Sequence, residues 1–245
     1  MFDALFTTTT EYKKLSHALS GKGACALFGL PASGRAQVYA ALCRQLDKPL
    51  CIVTPGEAEA TRFAADLNTL GIPAAVFPAR DYVLRPIEGT AREYEYRRLA
   101  VLGELVGGRL RAVAVPAEAL TQFTTPKEDF CANTRTLHAG DTLLRDDLLA
   151  ALFGAGYTRR AQVDGPGQFS VRGDIVDIFA PDQKMPVRME FWGDEIDTLH
   201  TFDLTTQRRE DAIDKFYLSP AREVLFGKPA DAAEQLRAFL AKQRG

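Results

Sequence analysis

The pattern of apolar residues changes once along this chain of 245 residues, and the change falls near Thr121–Asp129. Before it, short apolar runs such as Leu50–Thr54 and Ala112–Val115 alternate with helical patterns such as Ala58–Leu70. That alternation is typical of a parallel sheet covered by helices. After it, strand-like segments follow one another through tight turns. The sequence therefore predicts an α/β lobe followed by an antiparallel α+β module.

The second module begins with an amphipathic helix over Leu144–Phe153, in which leucines recur on one face. Gly173 and the Gly193–Asp194 pair supply the turn chemistry of hairpins. The predicted strands are Tyr157–Val163, Phe169–Arg172, Asp174–Phe179, Val187–Phe191 and Ile196–Phe202. A last strand over Phe216–Pro220 and a helix over Asp231–Lys242 cannot form a domain alone, so we expect both to pack on the first lobe; the alternative is that they continue into sequence not present here.

A glycine-rich segment follows the predicted strand Ala24–Leu30 and opens a predicted helix, which is the setting of a phosphate-binding P-loop, GxxxxGK[ST]. Gly29 and Gly34 have the required spacing. However, Arg35 replaces the lysine that contacts phosphates, and Ala36 replaces the hydroxyl that holds Mg²⁺. We interpret the segment as a turn without ATPase function; a vestigial anion site at the helix N-terminus is the alternative.

A second nucleotide-binding signal is the sequence DEID at Asp194–Asp197, because such acidic motifs occur in helicases. In a helicase the acidic pair ends a buried parallel strand. Here an alternating strand runs into Gly193 directly before Asp194, which is typical of a hairpin turn. We therefore predict a structural turn at this motif rather than a catalytic one.

Composition excludes several functions. The 30 Lys+Arg against 32 Asp+Glu give a net charge of −2, so bulk charge does not favour nucleic acid or membrane. No apolar stretch reaches the roughly 18 residues of a membrane span, and no signal peptide is evident. The four cysteines form no CxxC pair and the three histidines lie far apart, so we expect neither metal nor cofactor. Such cysteines favour reduced thiols and a cytoplasmic protein.

A long ordered motif runs through the second module. Its parts are Gly156–Val163 (GYTRRAQV), Asp164–Phe179 (DGPGQFSVRGDIVDIF), Pro186–Asp197 (PVRMEFWGDEID), Thr206–Arg208 and Tyr217–Glu223. The motif resembles the N-terminal region of the bacterial transcription-repair coupling factors (Mfd) and the homologous domain 2 of the excision-repair helicase UvrB. Thr206–Arg208 and the degenerate P-loop favour the coupling factors, because UvrB keeps an intact GKT.

The resemblance implies a RecA-like domain 1a over residues 1–125 that lacks ATPase function. It further implies an inserted domain 2 over 126–208 and the start of domain 1b over 209–245, packing back on domain 1a. The chain would then be a fragment of a longer ATP-dependent DNA translocase. Its motor, its RNA-polymerase-interacting domain and its autoinhibitory C-terminal domain would lie outside this chain, and RNA polymerase and DNA would be engaged there.

In that family, domain 2 binds UvrA, and Arg159, Phe169 and Arg172 match the UvrA-contacting pattern. Arginine suits this role because its fork pairs bidentately with carboxylates, and an exposed Phe beside arginines resembles a binding hot spot. Ser170 stands where UvrB often has an arginine, which weakens the match there. The alternative interpretations are a solvated strand charge at Arg159 and a core position for Phe169.

The resemblance thus predicts a non-catalytic adaptor that recruits UvrA to stalled RNA polymerase; the alternative is a UvrB-type helicase or translocase fragment. A third hypothesis, a DNA-binding module, rests on arginines and tyrosines in the helix predicted over Thr90–Leu105. Those residues are Arg92, Tyr94, Tyr96, Arg97 and Arg98. Glu93 and Glu95 interrupt the basic stripe, so we favour a solvated amphipathic helix.

Overall fold

The computed structural model describes residues 7–21, 24–46, 48–80, 91–223 and 237. The helices are α1 (Thr10–Ser20), α2 (Ala32–Gln45), α3 (Glu57–Thr69), α4 (Ala91–Val106), α5 (Ala117–Leu120), α6 (Lys127–Ala132) and α7 (Arg145–Gly154). The strands are β1 (Leu50–Thr54), β2 (Ala74–Val76), β3 (Ala112–Pro116), β4 (Arg135–His138), β5 (Thr158–Arg159), β6 (Gln168–Arg172), β7 (Ile175–Phe179), β8 (Val187–Trp192), β9 (Glu195–Phe202), β10 (Arg209–Ala212) and β11 (Lys215–Leu218). The helix predicted over Asp231–Lys242 lies outside the described residues.

The chain divides into two compact units. The first comprises Met1–Tyr82 with Glu104–Gln122, and the second comprises Val83–Gly103 with Phe123–Gly245. The division at residues 122 and 123 coincides with the change in apolar pattern. Helix α4 contributes to both units, since the boundary falls between its residues 103 and 104.

The first unit contains a parallel sheet in the order β1-β3-β2. All five residues of the central strand β3 are buried, as its continuous apolar run predicts. Helices α2 and α3 pack against this sheet through a cluster that includes Cys43, Phe63 and Leu67, with Ile52 from β1. The prediction of a mixed α/β chain with a parallel sheet in its first half is confirmed.

The strand predicted over Ala24–Leu30 is wrong: these residues form no strand and are mostly exposed. Leu27 is 45% exposed and Phe28 is 88% exposed, so the apolar run makes few of the contacts that would stabilise a buried strand. Gly29 has a φ of +82°, a left-handed conformation that also ends an extended segment. A short apolar run does not by itself provide a neighbouring strand with which to pair.

The second unit contains a sheet in the order β10-β9-β8-β7-β6-β5. Its neighbouring strands are antiparallel except for β5 and β6, which are parallel. Gly173 and Gly193 have φ of +60° and +63° and form the predicted hairpin turns. The DEID segment begins with Asp194 in the second turn and continues into β9, as predicted for a hairpin. The parallel pairing of β5 with β6 was not predicted. A loop of eight residues, 160–167, connects the two strands, and it contains no tight hairpin turn that would indicate how they pair.

The strand predicted near Phe216–Pro220 forms, as β11, but it pairs with β4 inside the second unit rather than returning to the first lobe. The cause is the burial of Phe216 and Leu218 against the second unit's core, which also contains Leu137 of β4. Strand β10 is likewise paired in the second unit, with β9. Strands β10 and β11 therefore pair within the second unit, whereas Glu223 contacts Arg98, which belongs to the predicted domain 1a over residues 1–125.

A buried ion pair joins distant parts of the second unit. Arg98 of α4 and Glu223 are both fully buried, and Arg98 Nε lies 2.9 Å from each carboxylate oxygen of Glu223. Thr124 Oγ1 donates to Glu223 Oε1 at 2.7 Å, and Thr125 Oγ1 donates to the Glu223 carbonyl oxygen. The Glu223 backbone N–H donates to Glu95 at 2.9 Å. Three separate stretches of sequence therefore meet around one carboxylate.

This geometry bears on the basic stripe of α4. Arg98 is fully buried and paired, so it cannot contact a nucleic acid at the surface. Arg97 lies over the ring of Tyr94, with 5.7 Å between its guanidinium carbon and the ring centroid. Tyr96 packs against Gly167, where an added Cβ would lie 2.6 Å from the tyrosine hydroxyl. Four of the five members of the stripe are thus engaged within the second unit.

Candidate partner-binding face

The two faces of the second unit's sheet differ in chemistry because side chains alternate along each strand. One face carries Phe169, Val176 and Met189 and is covered by α7 through Leu148 and Leu152. We call the opposite side the polar face. Its polar or exposed residues are Ser170, Arg172, Asp177, Arg188, Glu190, Trp192, Glu195, Thr198, His200 and Arg209.

Strand register places a polar row across the middle of the polar face. Ser170 pairs with Asp177, Asp177 pairs with Arg188, and Arg188 pairs with His200. Paired residues on neighbouring strands lie side by side, so four strands contribute one contiguous set of polar side chains. One end of this face is covered by the loop residues Val163 and Leu204, which pack with Phe179 and Phe202.

Asp177 is the centre of the row. Its buried carboxylate accepts hydrogen bonds from Arg188 Nε at 2.7 Å and Nη2 at 3.0 Å, and from Arg172 Nη2 at 2.6 Å. The hydroxyl of Ser170 also approaches it, at 3.5 Å. Two guanidinium groups thus share one carboxylate, which satisfies its lone pairs and fixes the position of both arginines.

Arg188 is held on three sides. Besides Asp177, its Nη1 donates to the carbonyl oxygen of Gln207 at 3.2 Å, and its guanidinium lies 4.7 Å above the ring centroid of Phe202. Buried arginine is stable only when its charge is compensated in this way. Arg188 therefore supports the sheet and orients Asp177, while Arg172 extends to the surface.

The structure places the two predicted arginines at the surface. The side chain of Arg172 is 47% exposed although it is tied to Asp177. Arg159 is exposed on the edge strand β5, where its backbone pairs with Phe169. Since Arg172 lies three residues beyond Phe169 on β6, the two arginines are separated by about 10 Å along the strand direction.

Phe169 requires a correction, because it is 0% exposed and belongs to the core beneath α7. Its ring makes an edge-to-face contact with Phe153, with 5.2 Å between centroids. The expected exposed hot spot beside the arginines is therefore wrong. Alternation explains this: Phe169 and Arg172 are an odd number of residues apart on one strand, so they face opposite sides of the sheet.

Sequence reasoning missed Trp192, which is 82% exposed. It is the last residue of β8 and follows Arg188 and Glu190 at two-residue intervals, so it lies on the polar face. Its neighbours Met189 and Phe191 point into the core. The signal was present in the sequence as an aromatic residue that continues the polar positions of a strand directly before a glycine turn.

The degenerate P-loop residues belong to the first unit. Gly34 and Arg35 lie in the first turn of α2, and Arg35 forms an ion pair with Glu59 at 3.8 Å. The methyl group of Ala36 is buried in the first unit's core. Gly29 has open space around it. Ala36 therefore packs against apolar atoms at the position where a P-loop directs a hydroxyl toward a metal ion.

Within the described ranges, no group of three or more His, Cys, Asp or Glu side chains is placed to hold a metal ion. All four cysteines, Cys25, Cys43, Cys51 and Cys131, are free thiols. No helix in the part of the chain that the structure describes combines the length and apolar character needed to cross a membrane.

Part of the second unit matches a known protein family. Residues 136–224 match the protein family described as the UvrB interaction domain. The chain is 37% identical over 219 residues to the transcription-repair-coupling factor of Mycobacterium tuberculosis, covering 85% of this chain and 18% of that protein. It is 35% identical over 208 residues to that of Myxococcus xanthus, covering 80% and 17%.

It is also 28% identical over 226 residues to the UvrABC system protein B of Chlorobium limicola, covering 86% of this chain and 32% of that protein. The resemblance to the coupling factors and to UvrB is thereby confirmed: residues 136–224 match the UvrB interaction domain family, and the chain is similar in sequence to both groups of proteins. It spans less than a fifth of the length of these coupling factors.

Proposed function

We propose that this chain is a non-catalytic adaptor in nucleotide excision repair, and that its second unit binds UvrA for recruitment to a stalled RNA polymerase. The observation that carries the proposal is the UvrB interaction domain over residues 136–224, which includes every strand of the polar face. The relatives named as transcription-repair-coupling factors favour a role in transcription-coupled repair. Contacts with RNA polymerase and DNA belong to other domains of a longer protein.

The polar face supports this role because its arginines are pre-organised. Arg172 is held by a buried carboxylate while about half of its side chain is exposed, so little rotamer entropy is lost when it pairs with a partner. Arg159 lies on the edge strand β5, about 10 Å from Arg172 along the strand direction, and its pairing with Phe169 places it on the opposite side of the sheet, at the exposed edge. We propose both as UvrA contacts, with Phe169 acting only through the fold.

The first unit fits a RecA-like lobe that has lost its nucleotide chemistry. A cavity of about 510 Å³ beside Gly29 is lined largely by apolar side chains, including Leu15, Leu27, Phe28 and Leu42. Arg35 is paired with Glu59 and Ala36 is buried, so the two positions that carry the lysine and the metal-binding hydroxyl of a P-loop offer neither group to phosphate and Mg²⁺. The alternative, a UvrB-type ATP-dependent motor fragment, rests on the relationship to UvrB.

Arg172→Ala and Arg159→Ala should each weaken binding to UvrA by about 2 kcal/mol, roughly thirty-fold in Kd. The wild-type affinity should fall between low and moderate salt, since exposed ion pairs are screened over about 8 Å at physiological ionic strength. Titration calorimetry with purified UvrA measures both effects. Arg160→Ala is the matched control, because it removes the neighbouring exposed arginine and should leave binding unchanged. Wild-type affinity in an Arg159/Arg172 double variant would reject these contacts.

The chain should bind ATP with Mg²⁺ no more tightly than about 1 mM and should show no ATP hydrolysis. The reason is that the lysine and the hydroxyl of a P-loop are replaced by Arg35 and Ala36. Calorimetry with ATP, run beside an intact UvrB as positive control, measures this. Saturable binding in the micromolar range would instead favour the motor-fragment alternative.

A further inference from the structure

Trp192 is the only tryptophan of the chain, and it is 82% exposed at the tip of the β8–β9 hairpin. An indole carries a large apolar surface, and tryptophan is usually well buried in folded proteins. Its neighbour Gly193 adopts φ +63°, so the hairpin turn fixes where the ring emerges. A rigid, exposed aromatic side chain at a fixed position is the kind of residue that dominates protein–protein interfaces.

We infer that Trp192 is the aromatic anchor through which the second unit binds UvrA, which rests on the function proposed above. Register connects it to Arg172: Arg172 pairs with Ile175, Ile175 pairs with Glu190, and Trp192 follows Glu190 by two residues on β8. Strand rise and spacing put the Cα atoms of Arg172 and Trp192 about 12 Å apart on the same face. The anchor and the arginine therefore fit within one interface.

The charges around Trp192 favour a protein partner. On the polar face Arg172, Arg188 and Arg209 are balanced by Asp177, Glu190 and Glu195, and Glu190 forms an ion pair with Arg209. Glu195 is the cross-strand neighbour of Trp192 itself. A face with balanced charge gains little from a polyanion such as nucleic acid. An apolar anchor surrounded by positively and negatively charged side chains is typical of a protein–protein interface.

A second exposed aromatic residue provides the contrast. Phe153 of α7 is 55% exposed, but it lies on the helix that covers the opposite side of the sheet, where it packs against Phe169. Phe153 and Trp192 are therefore both exposed aromatic residues, and they differ in the side of the sheet that they occupy. Only the residue on the polar face is expected to contact UvrA.

The test combines affinity with a reporter at the residue itself. Titration calorimetry with UvrA should show at least a tenfold loss for Trp192→Ala, a smaller loss for Trp192→Phe, and a change of less than twofold for Phe153→Ala. The melting temperature of Trp192→Ala should equal that of the wild type, because the ring makes few internal contacts. With 5-fluorotryptophan incorporated, the single ¹⁹F resonance of the chain should shift or broaden when UvrA is added.

The outcomes separate the two proposals. If wild-type chain binds UvrA while Trp192→Ala binds equally well and the ¹⁹F resonance does not move, the anchor is wrong and the adaptor function stands. If the wild-type chain does not bind UvrA at all, the adaptor function fails and the anchor fails with it. A ¹⁹F resonance that responds to duplex DNA but not to UvrA would also overturn the anchor and would assign the face to nucleic acid.

Discussion

Phe169→Ala should destabilise the second unit by about 3–5 kcal/mol, because it removes a fully buried ring and leaves a cavity beneath α7. Denaturant unfolding followed by circular dichroism measures this free energy. The matched control is Phe153→Ala, which removes the edge-to-face partner of Phe169 but is half exposed at the surface. Its cost should be about 1 kcal/mol, the value of an aromatic pair.

The same variant separates a structural role for Phe169 from a binding role. The fraction of Phe169→Ala that remains folded should bind UvrA with wild-type affinity, because the ring lies on the core side of the sheet. Unchanged unfolding free energy together with lost UvrA binding would contradict the buried position and restore the original expectation of an exposed contact.

Glu223→Gln should cost about 3–5 kcal/mol of folding free energy, since it leaves the Arg98 guanidinium buried without a compensating charge. The carboxylate of Glu223 also accepts a hydrogen bond from the Thr124 hydroxyl. An amide has only one oxygen, so it satisfies the Arg98 and Thr124 donors less well. Equilibrium unfolding by denaturant is the measurement, and Arg98→Gln should give a loss of similar size.

An exposed ion pair of the same unit provides the control. Arg145 lies 3.2 Å from Asp174, and both side chains are well exposed, so Arg145→Gln should cost no more than about 1 kcal/mol. A double variant that replaces Arg98 and Glu223 with methionine should recover much of the loss, because an apolar pair carries no desolvation cost. If Glu223→Gln were as mild as Arg145→Gln, the pair would not be buried in solution.

Much of the second unit was predictable because its signals are local. Alternating strands and the turn glycines Gly173 and Gly193 determine the hairpins, and α7 follows from its leucine spacing. The long sequence motif of the second module indicated the similarity to UvrB. Long-range strand pairing was not predictable. The alternation of Phe216 and Leu218 is the same in any sheet, and only tertiary packing determines that β11 pairs with β4.

The site was partly predictable for a related reason. Arg159 and Arg172 lie at the surface as expected, but Phe169 was assigned to the side of the sheet that carries Arg172, against the alternation of β6. The two-residue alternation of side chains along β6 places Phe169 and Arg172 on opposite faces. The same alternation along β8 places Trp192 on the polar face with Arg188 and Glu190. The carboxylate of Asp177 that organises the arginines comes from a neighbouring strand, so only the strand register reveals it.

The contacts around Glu223 also affect how the second unit folds during its synthesis. Arg98 and Glu223 are 125 residues apart in the chain, so the ribosome has synthesised the whole of domain 2 before the carboxylate that neutralises Arg98 exists. At about 5–20 residues per second this interval lasts roughly 6–25 s. During it, the N-terminal half of α4 has no final packing partner at residues 219–223, and contacts of such long range close slowly. The second unit therefore completes its packing around Arg98 only after residue 223 has been synthesised.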